Sequence, residues 1–282
     1  MRVRGEVTSF SASTNGVTLS GEQVGDGAPI VLLHGLSATR RYVVMGSRVL
    51  ERSGLRVIAY DARGHGRSTA PAARDAYGYE HLAGDLEELL DALDVGRAVL
   101  AGASMGAHTA VSFALSHPER VAALGLITPS YSPSGNGASR DLAGWDALAS
   151  GLRDEGVEGF LRAYDLAALP ERWRGTVETV IRQRVSAHEH PEAVADALEI
   201  VPRSRPFQDI RELAAINVPT LVVASRDDAD PGHPLAVGER YAGTVPGARL
   251  VVEDAGPPPR SPIAWQGGQL SRLLAELAAR AR

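Results

Sequence analysis

Short apolar runs alternate with amphipathic segments along the first 130 residues of the chain. Four runs rich in Val, Ile, Leu and Ala are too short for helices and predict buried parallel strands. Helical patterns at 40–52, 79–93 and 105–117 separate them. Strands and helices that alternate in this way predict a doubly wound α/β sheet. The four strand-like runs are at 30–33, 57–60, 98–101 and 124–127.

The alternation then stops. Residues 130–205 contain no strand-like run, and their apolar positions recur at helical spacing instead. Strand-like runs return at 218–224 and 249–253. The pattern therefore predicts one α/β core, formed by 1–129 and 206–282, with a helical insertion between the two parts. The helical patterns of the insertion are at 142–153, 157–169, 172–188 and 193–201.

The composition narrows the partners that such a protein can have. The formal net charge of −5 offers no broad positive surface to a phosphate backbone, so we expect no nucleic-acid partner. No apolar stretch approaches the roughly 20 residues that cross a bilayer, and residues 1–13 lack the apolar core of a secretory signal. We expect a cytoplasmic protein with a small-molecule substrate and no membrane partner, and the oligomeric state stays open.

Two residue types are missing, and their absence excludes several kinds of active site. The chain has no Cys, which excludes thiolate catalysis, Cys-ligated zinc and iron–sulfur clusters. All 29 basic residues are Arg, so no Lys is available for a Schiff base, for pyridoxal phosphate or for a P-loop. The histidines show no metal-binding spacing. We expect no cofactor and no metal, and a nucleophile that is an oxygen or a histidine.

A serine stands where a predicted strand passes into a predicted helix. Residues 102–106 read Gly-Ala-Ser-Met-Gly, which is the pattern G-x-S-x-G. The pattern is common by chance, but this strand–turn–helix context is the one that a nucleophile elbow requires. Glycines two residues before and after Ser104 let the strand and the helix approach closely. Ser104 is therefore the candidate nucleophile, and a plain tight turn is the alternative.

Three further features make the chain resemble the α/β-hydrolase family. An early strand runs into Leu-Leu-His-Gly at 32–35, the next strand is followed by Asp-Ala-Arg-Gly-His-Gly-Arg-Ser at 61–68, and the helical insertion stands where that family has its cap. The resemblance covers nearly the whole chain. It implies an eight-stranded, mostly parallel sheet, with residues 130–205 as a helical cap.

The resemblance also implies roles for residues around the nucleophile. In the family, the oxyanion hole uses the backbone N–H of the residue after the nucleophile and one N–H from the loop after His-Gly, which here are those of Met105 and Leu36. Such donors stabilise a developing oxyanion by about 3–4 kcal/mol each. We expect His34 mainly to brace its loop and to border the substrate. Trp145 and Tyr164 are expected to border it from the insertion, or else to pack the insertion against itself.

The acid of a catalytic triad is expected after the strand at 218–224. Three aspartates lie between positions 227 and 230. Alignment with the family's Gly-x-x-Asp pattern, with Ser225 in place of the glycine, favours Asp228, and Asp227 is the second choice. A carboxylate at this place would orient a histidine and stabilise its imidazolium. A solvated acidic loop is the alternative.

The histidine that the family carries after its last strand is missing. Where relatives have Gly-His this chain has Gly256 and Pro257, and no His follows position 233. Loss of that histidine costs a serine hydrolase about six orders of magnitude in turnover, so a base must come from elsewhere or hydrolysis is negligible. His233, five residues after Asp228, is the first candidate, and an ordinary loop histidine is the alternative. Weaker candidates are His108, His188 and His190.

Three functions are compatible with these residues. The first is a serine hydrolase for an ester, thioester or lactone, with Ser104, Asp228 and His233 as its catalytic residues. The second is a lyase, cyclase or isomerase that uses the same pocket to stabilise an enolate. The third is a catalytically inactive, ligand-binding member of the family, which the missing histidine permits.

Overall fold

A single eight-stranded sheet organises the protein. The computed structural model describes residues 5–133, 139–226, 230–254 and 261–281, without the side chains of 139–141. The strands are β1 (Thr8–Thr14), β2 (Val17–Val24), β3 (Ala28–Leu33), β4 (Leu55–Tyr60), β5 (Ala98–Ala103), β6 (Val121–Ile127), β7 (Thr220–Ala224) and β8 (Arg249–Val252). Their order across the sheet is β1-β2-β4-β3-β5-β6-β7-β8.

The sheet is open and mostly parallel. Pairing from β3 and β4 through to β8 is parallel throughout. The strand that runs against the others is β2, which pairs antiparallel with β4 and with β1, the latter in a hairpin whose turn residues Asn15 and Gly16 both have positive φ. An Asn-Gly pair favours such a turn because both residues tolerate the left-handed region. The doubly wound, mostly parallel sheet predicted from the sequence is confirmed, and the hairpin supplies the two strands that the apolar runs did not show.

Helices cover both faces of the sheet. The helices of the described residues are α1 (Val49–Arg52), α2 (Tyr79–Ala92), α3 (Met105–Ser116), α4 (Ser139–Ala163), α5 (Glu171–Val185), α6 (Pro191–Ile200), α7 (Leu235–Thr244) and α8 (Gly267–Arg280). On β5, Leu100 packs under α2, α3 and α7, while Val99 and Ala101 pack under α1 and α8. Successive side chains of a strand point to opposite faces, so a run of consecutive apolar residues is what a doubly covered strand needs.

One helix predicted from the sequence is largely absent. The pattern at 40–52 predicts a continuous helix, but the structure has a single 3₁₀ turn, Arg40–Tyr42, and the four-residue α1. Met45 and Gly46 between them have φ of 48° and 72°. Two successive residues in the left-handed region end any right-handed helix, and the apolar spacing alone does not reveal them.

The insertion between β6 and β7 contains the helices α4, α5 and α6. They bury an apolar cluster of their own, which includes Leu152, Phe160, Ile181 and Leu198. Helix α4 is broken at Gly156, where φ is 62° and ψ is −143°. The break separates the two helical patterns seen in the sequence at 142–153 and 157–169. The helical character of the insertion is therefore confirmed, and its status as a separate domain stays a prediction.

The loops that matter for chemistry all leave the same edge of the sheet. Parallel strands place their carboxyl ends together, and open α/β sheets bind ligands at that edge. The loops that follow β3, β4, β5, β6 and β7 begin there, and Ser104 lies on the central one of them. Among the described residues, no helix combines the length and the apolar character that a membrane span requires.

Candidate active site

Ser104 occupies a strained turn between β5 and α3. Its φ is 50° and its ψ is −113°, a conformation that costs a non-glycine residue on the order of 1–3 kcal/mol. A Cβ on Gly102 would lie 2.1 Å from the carbonyl oxygen of Gly106, and one on Gly106 would lie 2.1 Å from that of Leu33. Both flanking glycines are therefore required by the close approach of the helix to the strands. The turn presents the partly buried Ser104 at the edge of the sheet.

The loop after β3 lies directly against this turn. A Cβ on Gly35 would be 3.5 Å from Cβ of Ser104 and 3.3 Å from the carbonyl oxygen of Ala103. The next backbone N–H along this loop is that of Leu36. Neither it nor the N–H of Met105 at the start of α3 has an acceptor among the described residues. The first N–H groups of a helix have no partner within the helix, so both donors remain available beside Ser104.

His34 ties two of the edge loops together. Its Nε2 accepts a hydrogen bond from the N–H of Ala62 at 2.9 Å, and its Nδ1 lies 2.8 Å from the carbonyl oxygen of Gly35, to which it donates. The side chain is buried, and burial lowers its pKa. Both ring nitrogens are thus engaged by the backbone, which supports the bracing role. A contact between His34 and a substrate stays a prediction.

The motif at 61–68 holds its loop through buried ion pairs. Arg63 donates two hydrogen bonds of 2.7 Å to the carboxylate of Asp85, and both side chains are almost completely buried. Asp61 pairs with the guanidinium of Arg40 and accepts from the backbone N–H of the same residue at 2.9 Å. These charges are satisfied by partners on α2 and on the 3₁₀ turn after β3, so they are not free for proton transfer.

Three histidine rings pack against one another in tilted and edge-to-face arrangements. The ring centroids of His34 and His65 are 5.1 Å apart, and those of His65 and His188 are 5.5 Å apart. His188 comes from the helical insertion, yet its Nδ1 accepts from the N–H of Gly66 at 2.8 Å, and its Nε2 lies 3.2 Å from the carbonyl oxygen of Ser37. Burial lowers the pKa of His188 to about 4. His188 thus links the insertion to two edge loops. Because both of its ring nitrogens are engaged, His188 has no free nitrogen to act as a base.

His108, one helical turn after Ser104, is also engaged. Its Nε2 accepts from the backbone N–H groups of Ser130 and Tyr131, and its Nδ1 is 3.0 Å from the hydroxyl of Tyr79. Burial, with a smaller contribution from the charge of His233, lowers its pKa to about 3. This histidine holds the loop after β6 and offers no free nitrogen to a substrate.

The remaining histidine candidate, His233, lies beside a carboxylate. Asp227, Asp228 and Pro257 fall outside the described residues, but Asp230 is described, and its Oδ2 is 2.8 Å from Nδ1 of His233. The two groups form an ion pair, although the ring direction falls short of a hydrogen bond. Nε2 has no partner among the described residues and is not a buried atom, so it faces open space.

The pair affects the pKa of both members. Burial alone would lower the pKa of His233, but the charge of Asp230 raises it overall. Burial would likewise raise the pKa of Asp230, yet His233, and more weakly Arg184, lower it. His233 also acts on His108 of α3, and Arg184 belongs to α5. His233 is therefore near enough to α3 and to α5 for its charge to affect groups on both.

A buried carboxylate that the sequence analysis missed lies at the end of β8. Oε1 of Glu253 accepts from the hydroxyl of Ser225 and from the N–H of Arg226, both at 2.6 Å. It joins the loop after β7 to the strand beside it. The signal in the sequence is a pair of acidic residues, Glu253 and Asp254, directly after the apolar residues 250–252. Because Glu253 is occupied in this way, it is not a free base.

The aromatic residues of the insertion border the loop that carries Leu36. Trp145 and Tyr164 are partly buried and pack on the apolar cluster of the insertion, as Leu36 does from the core. The rings of Trp173 on α5 and Trp265 before α8 meet edge to face at 5.8 Å. Packing within the insertion is thus observed for Trp145 and Tyr164, and their contact with a substrate stays a prediction. The described residues contain no group of three or more His, Asp or Glu side chains able to hold a metal ion.

Comparison with known proteins agrees with this architecture. The model of a family described as the alpha/beta hydrolase fold matches residues 28–258. The chain belongs to the α/β-hydrolase family. A candidate carbamate hydrolase, RutD, of Variovorax paradoxus (strain S110) is 32% identical to this α/β-hydrolase over 206 residues, which are 72% of this chain and 75% of the relative.

Two solved structures resemble the whole molecule. The enol-lactonase from Burkholderia xenovorans LB400 superposes with a TM-score of 0.72 at 26% identity, over 96% of this chain and 99% of its own. A thermophilic esterase from Thermogutta terrifontis superposes with a TM-score of 0.76 at 28% identity, over 97% and 99%. Relatives and neighbours of this α/β-hydrolase are hydrolases or esterases, so the chain is an enzyme of the hydrolase class.

Proposed function

We propose that the protein hydrolyses an ester, thioester or lactone with Ser104 as the nucleophile. The observation that carries this proposal is the strained conformation of Ser104 between two backbone N–H groups that have no acceptor among the described residues. Strain of this kind persists where the surrounding structure enforces it, and active sites are the common place. The enol-lactonase and the esterase among the structural neighbours act on bonds of the same acyl type, by their names.

In the first half-reaction, the hydroxyl oxygen of Ser104 attacks the carbonyl carbon, and Nε2 of His233 takes its proton. The oxyanion that forms accepts hydrogen bonds from the N–H groups of Leu36 and Met105, which are worth about 3–4 kcal/mol each. The protonated His233 then gives the proton to the leaving oxygen or sulfur, and an acyl-serine remains. In the second half-reaction, His233 takes a proton from water while the water oxygen attacks the acyl-serine. His233 then returns the proton to the serine oxygen, so the acid leaves and Ser104 is restored.

Asp230, rather than Asp228, serves in this proposal as the carboxylate that orients His233. Its support is the 2.8 Å contact with Nδ1, which leaves Nε2 as the nitrogen that can face the substrate. A carboxylate at Nδ1 fixes the tautomer and stabilises the imidazolium. Asp228 is the residue that the family pattern favours, and variants of both aspartates decide between them. Helices α4 to α6 cover the site as a cap in this proposal.

A second candidate function rests on the missing histidine. If His233 does not activate Ser104, the two N–H donors and the covered pocket still suit a lyase, cyclase or isomerase that stabilises an enolate without a covalent intermediate. A ligand-binding protein without catalysis is the remaining outcome of the same absence.

Covalent labelling with a fluorophosphonate, followed by intact-mass spectrometry, tests the proposal without knowledge of the substrate. We expect stoichiometric labelling of the wild type, none of Ser104→Ala, and labelling of His233→Ala slowed at least 100-fold. Gln208→Ala, an exposed change far along the chain, is the matched control. Failure of a folded wild type to react would reject the hydrolase and favour the second candidate.

A further inference from the structure

Arg184 is a basic residue of the insertion that has no partner among the described residues. It stands in the last turn of α5 and is partly buried, and its Nε atom is buried. The guanidinium forms no hydrogen bond or ion pair with any other described residue. Arginines on the same insertion that are more exposed do form ion pairs, such as Arg182 with Glu158. A desolvated guanidinium without a counter-charge is unfavourable, and it is stabilised when an anion arrives.

The described surroundings of Arg184 offer it no carboxylate of its own. Burial lowers the pKa of its guanidinium, and the neighbours that oppose this effect are Asp230, Tyr164 and Tyr42. Asp230 is already paired with His233. The hydroxyls of Tyr42 and Tyr164 form no hydrogen bond with another described residue. Groups that lack acceptors around one guanidinium are what a carboxylate ligand would satisfy.

Trp173 carries another unpartnered donor on the same face of α5, but about 16 Å from Arg184 along the helix axis, so it is not part of the Arg184 site. Its indole Nε1 is buried and has no partner among the described residues. Eleven residues separate Trp173 from Arg184, which is close to three helical turns, so both point to the same side of α5. That side faces the core, because Trp173 meets Trp265 there.

Arg184 lies close to the residues of the candidate active site. Its charge acts on His233 and Asp230, and also on His188, which is bonded to the loop of Ser37 and Leu36. The insertion residue Tyr164 packs on the same cluster as Leu36. On the proposed function, a group bound by Arg184 would lie on the side of the insertion that faces the edge of the sheet.

We propose that Arg184 binds a carboxylate carried by the substrate, so that the enzyme's substrates are esters or lactones of acidic compounds. The inference rests on the proposed function, since it names the substrate class of the same site. A carboxylate fits better than a phosphate dianion because one guanidinium supplies one positive charge in a fork of two donors, and Asp230 adds a negative charge nearby.

Two esters that differ only in a terminal carboxylate test this inference. The substrates are 4-nitrophenyl pentanoate and mono-4-nitrophenyl glutarate, and the quantity is the ratio of kcat/KM for glutarate over pentanoate. We expect this ratio to exceed 10 in the wild type and to fall about 10- to 100-fold in Arg184→Gln, mainly through KM. Arg184→Lys should restore part of it. Arg182→Gln, which removes an exposed arginine two positions earlier, should leave the ratio unchanged.

Binding of free glutarate separates failure of this inference from failure of hydrolysis. Titration calorimetry with wild type, Ser104→Ala and Arg184→Gln should show binding to the first two and a loss of at least 10-fold in the third. If no ester is hydrolysed but glutarate binds through Arg184, the hydrolase is rejected and the carboxylate site stands. If esters are hydrolysed with a ratio near one and glutarate does not bind, the carboxylate site is rejected and the hydrolase stands. If Arg184→Gln lowers kcat/KM equally for the two esters, the carboxylate site is also rejected. If the wild type neither hydrolyses the esters nor binds glutarate, the hydrolase and the carboxylate site are both rejected.

Discussion

Nδ1 of His233 lies 2.8 Å from Oδ2 of Asp230, its neighbour three residues earlier in the chain. The two residues lie on one short loop after β7. A pair on one loop needs no second element to align its members, so the proposed acid–base role of His233 does not require a histidine after the last strand.

Replacement of the carboxylate in this pair should change the pH profile of catalysis. The pKa of His233 is raised by Asp230, and only neutral His233 accepts a proton, so wild-type kcat/KM should rise with pH through a value above 6.5, the ordinary pKa of histidine. Asp230→Asn should move this limb to lower pH and reduce kcat by about 10²–10⁴-fold. The measurement is ester hydrolysis between pH 5 and 9. Asp209→Asn, on an exposed residue paired with Arg211, is the control, and an unshifted limb in Asp230→Asn would assign the orienting role to Asp228.

The elbow glycines should be far less tolerant of a methyl group than an open glycine is. Gly102→Ala and Gly106→Ala each place a Cβ 2.1 Å from a backbone oxygen that cannot move aside. We expect a loss of at least about 3 kcal/mol in the free energy of unfolding, or failure to fold. Gly96→Ala is the matched control, because no atom lies within 4 Å of its added Cβ. Urea unfolding compares the three, and equal stability of all of them would contradict the tight crossing of β5 and α3.

Acid should destabilise the protein through its buried histidines. The pKa of His108 is lowered to about 3 and that of His188 to about 4, mainly by burial, while the unfolded chain titrates near 6.5. The unfolded state therefore binds protons first, so this stabilisation is complete above pH 6.5 and is lost as the pH falls toward 3. We expect a drop of several kcal/mol between pH 7 and pH 4 in urea unfolding.

Removal of one buried histidine should flatten that dependence. His188→Gln keeps an amide that can accept from Gly66, so its stability should vary less with pH than that of the wild type. His190→Gln, two residues later and partly exposed, should follow the wild-type curve. Parallel curves for all three proteins would show that the His188 site does not govern the acid response.

Glu253 should matter for both stability and turnover. Glu253→Ala leaves the hydroxyl of Ser225 and the N–H of Arg226 without the carboxylate that accepts from them. We expect a loss of about 2–3 kcal/mol in the free energy of unfolding, because the partners are buried. Turnover should also fall, since the same loop leads to Asp230 and His233. Glu276→Ala, which removes an exposed partner of Arg249, is the control, and a loss no greater than in that variant would show that Glu253 does not hold the loop.

The strands and the elbow could be predicted from the sequence because their signals are local. A run such as 98–101 is apolar at every position, because both faces of β5 are covered. The glycines around Ser104 indicate, within five residues of sequence, that β5 and α3 approach closely. Helix boundaries were less predictable where single residues take positive φ. Met45 and Gly46 removed most of one predicted helix, whereas the break at Gly156 falls between two helical patterns that the sequence already separates.

The sequence by itself determined the sheet, the place of the helical insertion, the candidate nucleophile and the absence of the usual base. Only the tertiary structure decided which groups are free. His34, His108 and His188 are equivalent to His233 as residue types, but backbone groups up to 151 positions away occupy their nitrogens. Arg184 differs from its paired neighbours because it forms no hydrogen bond or ion pair with another described residue. Burial and hydrogen-bond satisfaction depend on what the fold brings together across the chain, and no local pattern encodes them.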